Sequence, residues 1–437
     1  PAPRYDHPHP FTLPSMQLRP TLGAVVGAAF LVAPVGAQST GGATVPADVP
    51  SVKAAVAAIR ATNAWTLEQQ VSICEIPAPP FKEAKRAEEF KRRLEQLGLR
   101  NVRIDREGNV IGERPGTGSG PVVVISAHLD TVFPESTDVS VRREGSLYKG
   151  PGIGDDCRGL AVLLATAKAM NDAKVATTGT VLFVGTVGEE GPGNLRGVRH
   201  LFAQELKGKV DYFISVDGTG LGITSAAVGS HRYRVTYQGP GGHSYGAFGM
   251  PNPIHALGRA IAKFGDLQVP RDPRTTFSVG VISGGTSVNS ISMSGVMEVD
   301  MRSESAAALE ELDAKFQRVV QEALAEENAR WPESRARLTV KVDTTGIRPA
   351  GAQPDSVRIV RVAKAAGRAL GFDARTNASS TDSNIPISLG IPAITIDGGG
   401  RGRGSHALEE SYDDGQNGWL GPQWATLIVA ALAGTAP

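Results

Sequence analysis

At the end of the apolar run PVVVISAHLDTVFP, His128 and Asp130 stand two residues apart. Further along, Asp155 and Asp156 lie in GPGIGDDCRG, Glu189 and Glu190 follow TVLFVGTVG, Asp217 follows DYFISV, and His406 closes GRGRGSH. Taken singly, each has an ordinary role. A histidine at a strand end is commonly a hydrogen-bonded structural residue, and Glu-Glu after a strand is commonly just solvated. An Asp pair before a helix caps it, because a carboxylate accepts the free N–H groups and favours the helix dipole. An Asp before Gly is a turn residue. Together, six carboxylates and two histidines on one rim would repel and drive some carboxylate pKa values up unless a cation neutralised them. A metal supplies that cation. Carboxylate and imidazole ligands without thiolate pairs suit zinc, with cobalt or manganese as substitutes, and histidines this few fit two metals sharing a bridging carboxylate.

The elements that must position these residues follow from the periodicity. Helical spacing runs through SVKAAVAAIRATNAWTLEQQVSI and again through EAKRAEEFKRRLEQLGL, where Gly98 is the stop. Short strands follow around VRIDREGNVIGER, then the chain alternates: strand PVVVISAH, helix GLAVLLATAKAMNDA, strand TVLFVGTV, helix NLRGVRHLFAQEL, strand VDYFISVD. Apolar strands alternating with helices predict an α/β domain with a mostly parallel sheet covered on both faces. In such sheets ligands bind outside the carboxyl ends of the strands, where the acidic residues and histidines fall. From His231 the order becomes β-α-β-β-α-β, with a long helix from 306 to about 326, which predicts a small ferredoxin-like α+β layer inserted in the larger domain. The expected organisation is a catalytic domain in two parts, 49–228 and 347–437, around an insert at 229–346.

Length and composition agree with a two-domain globular protein. A chain of 437 residues exceeds what one core usually serves, and a formal net charge of +1 argues against a polyanionic partner such as nucleic acid. Residues 16–37, MQLRPTLGAVVGAAFLVAPVGA, have one early arginine, an apolar centre too short for a spanning helix, and small residues before a cleavage position. They predict a signal peptide, hence export to the periplasm or medium with no membrane attachment after its removal. Two cysteines, Cys74 and Cys157, allow at most one disulfide, and sequence leaves the pairing open.

The motifs HLDTV, GIGDDCRG, GEEG, VDG and GSH, in this order, resemble those of the co-catalytic zinc exopeptidases and amidohydrolases that include peptidase T, glutamate carboxypeptidase, aminoacylase and succinyl-diaminopimelate desuccinylase. The resemblance covers nearly all of the chain after 37. It implies that His128 and Asp217 bind one zinc, that Glu190 and His406 bind the other, and that Asp155 bridges both. Glu189 is then the general base. Asp130 is expected to aim His128, since two residues along a strand returns to the same face and a carboxylate on the free ring nitrogen raises its basicity. In the insert, the resemblance implies that His243 polarises the scissile carbonyl, often in the partner subunit's site, while Asn289 and Arg302 hold substrate; the insert is then also a dimerisation domain and the protein a homodimer. The ordinary readings of these three are a loop histidine, a turn asparagine and an arginine in a surface ion pair. One position departs from the family: Cys157 stands where relatives commonly carry lysine. A small buried side chain is the expected role there, ahead of a metal-binding thiolate.

Two rival motifs are weaker. GHSYG at 242–246 satisfies the GxSxG nucleophile elbow, with Ser244, Asp397 and His406 in the order that a serine hydrolase needs. However, GPGG precedes it and two prolines delay the next helix, so the strand-turn-helix that exposes such a serine is missing. GPGIGDD places two aspartates where a dinucleotide pyrophosphate would need positive potential. A binding protein that keeps the fold without activity is a third reading, disfavoured because no ligand or base is missing. The expectation is a hydrolase with two zinc ions that cleaves an amide bond of small peptides or N-acyl amino acids, as an exopeptidase, with Glu189 as base.

Overall fold

The computed structural model describes residues 43–415 and 417–435, so the export segment expected at 16–37 lies outside the described residues. In chain order the elements that position the site are helices α1 (Pro50–Ala61), α2 (Asn63–Cys74) and α3 (Ala84–Gln96), strands β1 (Arg100–Ile104), β2 (Val110–Arg114) and β3 (Val123–His128), helix α4 (Cys157–Asp172), and strands β4 (Val181–Thr186), β5 (Tyr212–Val216) and β6 (Ile223–Ala227). The insert follows as β7 (Gly229–Gln238), α5 (Pro253–Gly265), β8 (Thr275–Gly284), β9 (Ser294–Ser303), α6 (Ala306–Ala329) and β10 (Thr339–Arg348). The chain then returns through β11 (Gly351–Ala352), α7 (Arg358–Ala369), β12 (Thr376–Ser379), β13 (Ala393–Ile396) and α8 (Leu420–Ala433).

The large sheet has the order β1-β2-β4-β3-β5-β13-β6-β11, with β12 beside β6. Its centre, β4-β3-β5-β13, is parallel, and antiparallel pairs flank it. Every residue of β3 and β4 is buried, as strands covered on both faces require. One core contains α4, which is buried along almost its whole length, with residues of α1, α7 and α8; a second is built from Val124, Leu182, Val198 and Phe213. The pattern read as one helix across 51–73 is two, because the chain leaves helical geometry at Thr62, whose hydroxyl donates back to the Ala58 carbonyl at 2.9 Å.

The insert is a four-stranded antiparallel sheet, β8-β9-β7-β10, with a core of its own around Tyr237, Phe264, Met297 and Phe316. Its β-α-β-β-α-β order and strand arrangement are ferredoxin-like. Cys74, ending α2, and Cys157, opening α4, form a disulfide with Cα atoms 5.4 Å apart, so Cys157 offers no thiolate to a metal.

Candidate metal centre

The parallel strands deliver the acidic residues and histidines to one rim. His128 is the last residue of β3, Asp217 follows β5, Glu189 and Glu190 lie just beyond β4, and Asp155 immediately precedes Asp156, the N-cap of α4. The Asp155–Asp156 peptide is cis. His406 arrives on the loop after β13 and stays half exposed, while His128 is buried.

Asp155 stands between the two histidines. Its Oδ1 lies 3.1 Å from His128 Nε2, and its Oδ2 lies 3.2 Å from His406 Nε2. Asp217 Oδ1 is 4.0 Å from His128 Nε2, and Glu190 Oε1 is 2.9 Å from His406 Nε2. Two three-residue groups, His128/Asp155/Asp217 and Asp155/Glu190/His406, therefore share Asp155, with candidate ligand atoms in each group within 4.8 Å of one another. A third combination at the same spacing joins His128 to Glu189 and Glu190.

Of the surrounding residues, Asp130 works differently from expectation. Asp130 contacts His128 through its backbone carbonyl, 2.9 Å from Nδ1, whereas its carboxylate Oδ1 is 3.7 Å away. That carboxylate instead accepts the N–H groups of Glu189 and Glu190, at 3.0 and 2.8 Å. Asp156 keeps the ordinary role: it accepts the Gly159 N–H at 2.9 Å as a helix cap, and the His128 N–H at 3.0 Å. Two groups were not singled out in the sequence. Arg348, the last residue of β10, places Nη1 2.8 Å from Glu189 Oε1, and Nη2 also bonds the Glu189 carbonyl; the pair is buried. Glu410 accepts the N–H groups of Gly152, Gly154 and Asp155, holding the loop that carries the shared carboxylate. Four residues after His406, Glu410 was the more legible of the two.

Electrostatics follow from this crowding. Burial would lower His128, but its hydrogen bond with Asp155 and the charges of Asp156, Asp217 and Asp130 outweigh that and raise it well above its ordinary value. Burial would raise Asp155, yet the hydrogen bonds from His128 and His406 hold it below the usual carboxylate range. Hydrogen bonds to Asp155 and Glu190 raise His406 to about 10. Burial, reinforced by the Asp155 charge, pushes Asp217 well up. Burial lifts Glu189 to about 8 against the pull of Arg348. The protein thus neutralises this cluster by retaining protons, and divalent cations among these nitrogen and oxygen donors would take the place of those protons. The donor set fits zinc-type ions on that ground.

A cleft of about 780 Å3 opens over the cluster. Its lining includes Arg232, Arg302 and Arg348, and also Asp397. Arg232 and Arg302 flank Asp300, with Nε–O distances of 2.8 and 2.7 Å, so Arg302 both forms the expected ion pair and faces the cleft. His243 and Asn289 are not brought into the cleft: they are exposed where the short strand Gly242–His243 pairs with Ser290–Ile291. Ser244 follows them outside it, and His406 turns its Nε2 to Asp155 and Glu190, so Ser244, Asp397 and His406 do not assemble a serine-hydrolase triad.

Comparison with known proteins points the same way. The model of peptidase family M20/M25/M40 matches residues 124–417. Carboxypeptidase G2 of Pseudomonas sp. (strain RS-16) is 28% identical over 338 residues, which cover 74% of this chain and 77% of that protein. Among solved structures, the aminopeptidase PepT of Bacillus cereus superposes with a TM-score of 0.68 at 21% identity, covering 84% of this chain and 98% of its own. The Bacillus subtilis YXEP protein, described as a dinuclear metal-binding peptidase, superposes with a TM-score of 0.60 at 19% identity, covering 86% and 98%.

Proposed function

The chain belongs to peptidase family M20/M25/M40, and on that premise we propose that it is a two-zinc hydrolase cutting the amide bond of small peptides or N-acyl amino acids, as an exopeptidase. The observation that carries this reading is Asp155, shared between two histidine-carboxylate groups with Glu189 alongside. His128 and Asp217 would hold one ion, Glu190 and His406 the other, and Asp155 both; cobalt or manganese could substitute. Ions so held supply Lewis-acid polarisation and a lowered pKa for water.

The residues of the chain supply the rest. Glu189 takes a proton from the attacking water as its oxygen bonds the carbonyl carbon, and passes that proton to the amine nitrogen as the C–N bond breaks. Asp130 fixes the backbone of Glu189 and Glu190 during this exchange. Arg302, with Arg232 beside it, offers positive charge to a substrate carboxylate. His243 and Asn289 act from a second copy of the chain in a homodimer, where His243 stabilises the developing oxyanion; their exposed position on the insert supports this arrangement. Export is supported by the 16–37 pattern and by the Cys74–Cys157 pairing, which suits an oxidising compartment.

The test is chelation by phenanthroline followed by zinc, with di- and tripeptides assayed against N-acyl amino acids. Loss and restoration of hydrolysis is the expected result. Full activity after chelation, or inactivation by a serine-directed phosphonate, would sink the reading.

A further inference from the structure

Strands β5 and β13 pair in parallel register, Val216 opposite Ile396, so Asp217 and Asp397 are the next residues of two adjacent strands at the same level. Asp217 faces His128. Asp397, on the neighbouring strand about 4.8 Å across the sheet, lies beside the metal cluster and belongs to none of its candidate ligand groups.

The surroundings of Asp397 are built for a carboxylate. Its Oδ2 accepts the Gly222 N–H at 2.7 Å. A Cβ at Gly220 or Gly222 would stand 2.7 or 3.1 Å from that same oxygen, and Gly220 has φ +110°, so both glycines make room for it. The cleft lining also includes the polar Thr224, Asn377, Thr381 and Thr395, with the Thr224 hydroxyl donating to Asn377 Oδ1 at 2.7 Å. Among the described residues Asp397 has no ion pair, and its Oδ1 makes no protein hydrogen bond. The three arginines of the cleft are engaged elsewhere, Arg348 by Glu189 and Arg232 and Arg302 by Asp300. A largely buried carboxylate without a counter-charge is costly, and a cationic group entering the cleft relieves that cost.

We propose that Asp397 is a specificity-determining residue that binds an alkylammonium group of the substrate in the cleft over the candidate metal ligands. This deepens, and rests on, the amide-hydrolase reading. The preferred substrate then carries an ammonium group within reach of the cleft. The ammonium comes either from a free α-amine or from a lysine-type side chain, and the chemistry recognised is the same.

Four matched substrates separate these sources: Lys-Ala, norleucyl-Ala and the Nα-acetylated form of each, assayed with zinc-loaded protein and with Asp397→Asn, in which the amide oxygen can still accept the Gly222 N–H. The readout is a ratio of kcat/KM values within each protein, insensitive to partial loss of folded enzyme. A fall of at least about tenfold in the free-to-acetylated ratio assigns the α-amine, and the same fall in the lysine-to-norleucine ratio assigns the side chain. Both ratios unchanged in Asp397→Asn would overturn the subsite while leaving the hydrolase reading intact. No turnover of any of the four by wild-type protein that does hydrolyse N-acyl amino acids would overturn the subsite alone, and no hydrolysis of any peptide or N-acyl amino acid would overturn both readings.

Discussion

Arg348, at the end of the last strand of the insert, forms a buried ion pair with Glu189, the proposed base, at 2.8 Å. The insert therefore contributes to the rim that carries the candidate metal ligands as well as to the cleft lining. Replacing Arg348 by Met leaves a buried carboxylate without its partner and without a fixed position, a change that is strongly unfavourable in general. The expected result is a fall in kcat of roughly 10- to 100-fold with metal content retained, because positioned proton transfer is worth about that much or more. Arg348→Lys should recover part of it. An unchanged kcat with a raised KM would instead assign Arg348 to substrate binding alone.

Glu189→Gln removes the proton acceptor and leaves the shared carboxylate and both histidines in place. Turnover should disappear while about two metal ions per chain remain, measured by elemental analysis. His128→Ala should do the reverse first, lowering metal content. A Glu189→Gln protein that loses its metal yet still turns over would exchange the roles assigned to Glu189 and Glu190.

Asp130 supports both glutamates through their N–H groups. Asp130→Ala frees two backbone donors in a buried setting and lets the glutamates shift, so metal affinity should fall by roughly 10- to 100-fold, as for other supporting residues of metal sites. Competition with a chromophoric chelator measures this. An unchanged affinity would confine Asp130 to a structural part.

Chelated protein should lose stability as pH rises. Burial lifts Asp130 to about 6, Glu410 to about 7 and Glu189 to about 8, so the folded chain keeps protons that the unfolded chain has released above its ordinary carboxylate values. The raised His406 acts in the same direction: its contribution is full below the unfolded histidine value and is lost as pH rises through about 10. Tm in the presence of chelator should therefore drop between pH 5 and 9, and zinc should restore more Tm at the upper end, where it no longer competes with protons. A Tm in chelator that is flat or rises over this range contradicts the charge balance described for the cluster.

What the sequence made legible was whatever depends on local pattern. Strand ends are visible as apolar runs, so the sequence alone places His128, Glu189, Glu190 and Asp217 on one rim, and the β-α-β-β-α-β order is readable from 231 onward. Asp155 before a helix belongs to the same class. Contacts made across long stretches of chain were not legible. Arg348 in TTGIRPA carries no local mark, and its partner Glu189 lies 159 residues away. Asp130 was recognisable as a supporting residue, but which of its oxygens meets the His128 ring depends on the turn after β3, which alternation does not specify. The break at Thr62 was missed because the apolar spacing continues across it.

The Cys74–Cys157 disulfide closes a covalent ring of the chain that contains His128, Asp130 and Asp155. Inside the ring, the edge strand Arg142–Glu144 is exposed along its length and carries two arginines, after which a trypsin-like protease cuts once the strand lifts from its neighbour. One such cut opens the ring without releasing a fragment, so every proposed ligand stays on one covalently connected molecule. A nick there is a scar; only reduction followed by unfolding turns it into two pieces.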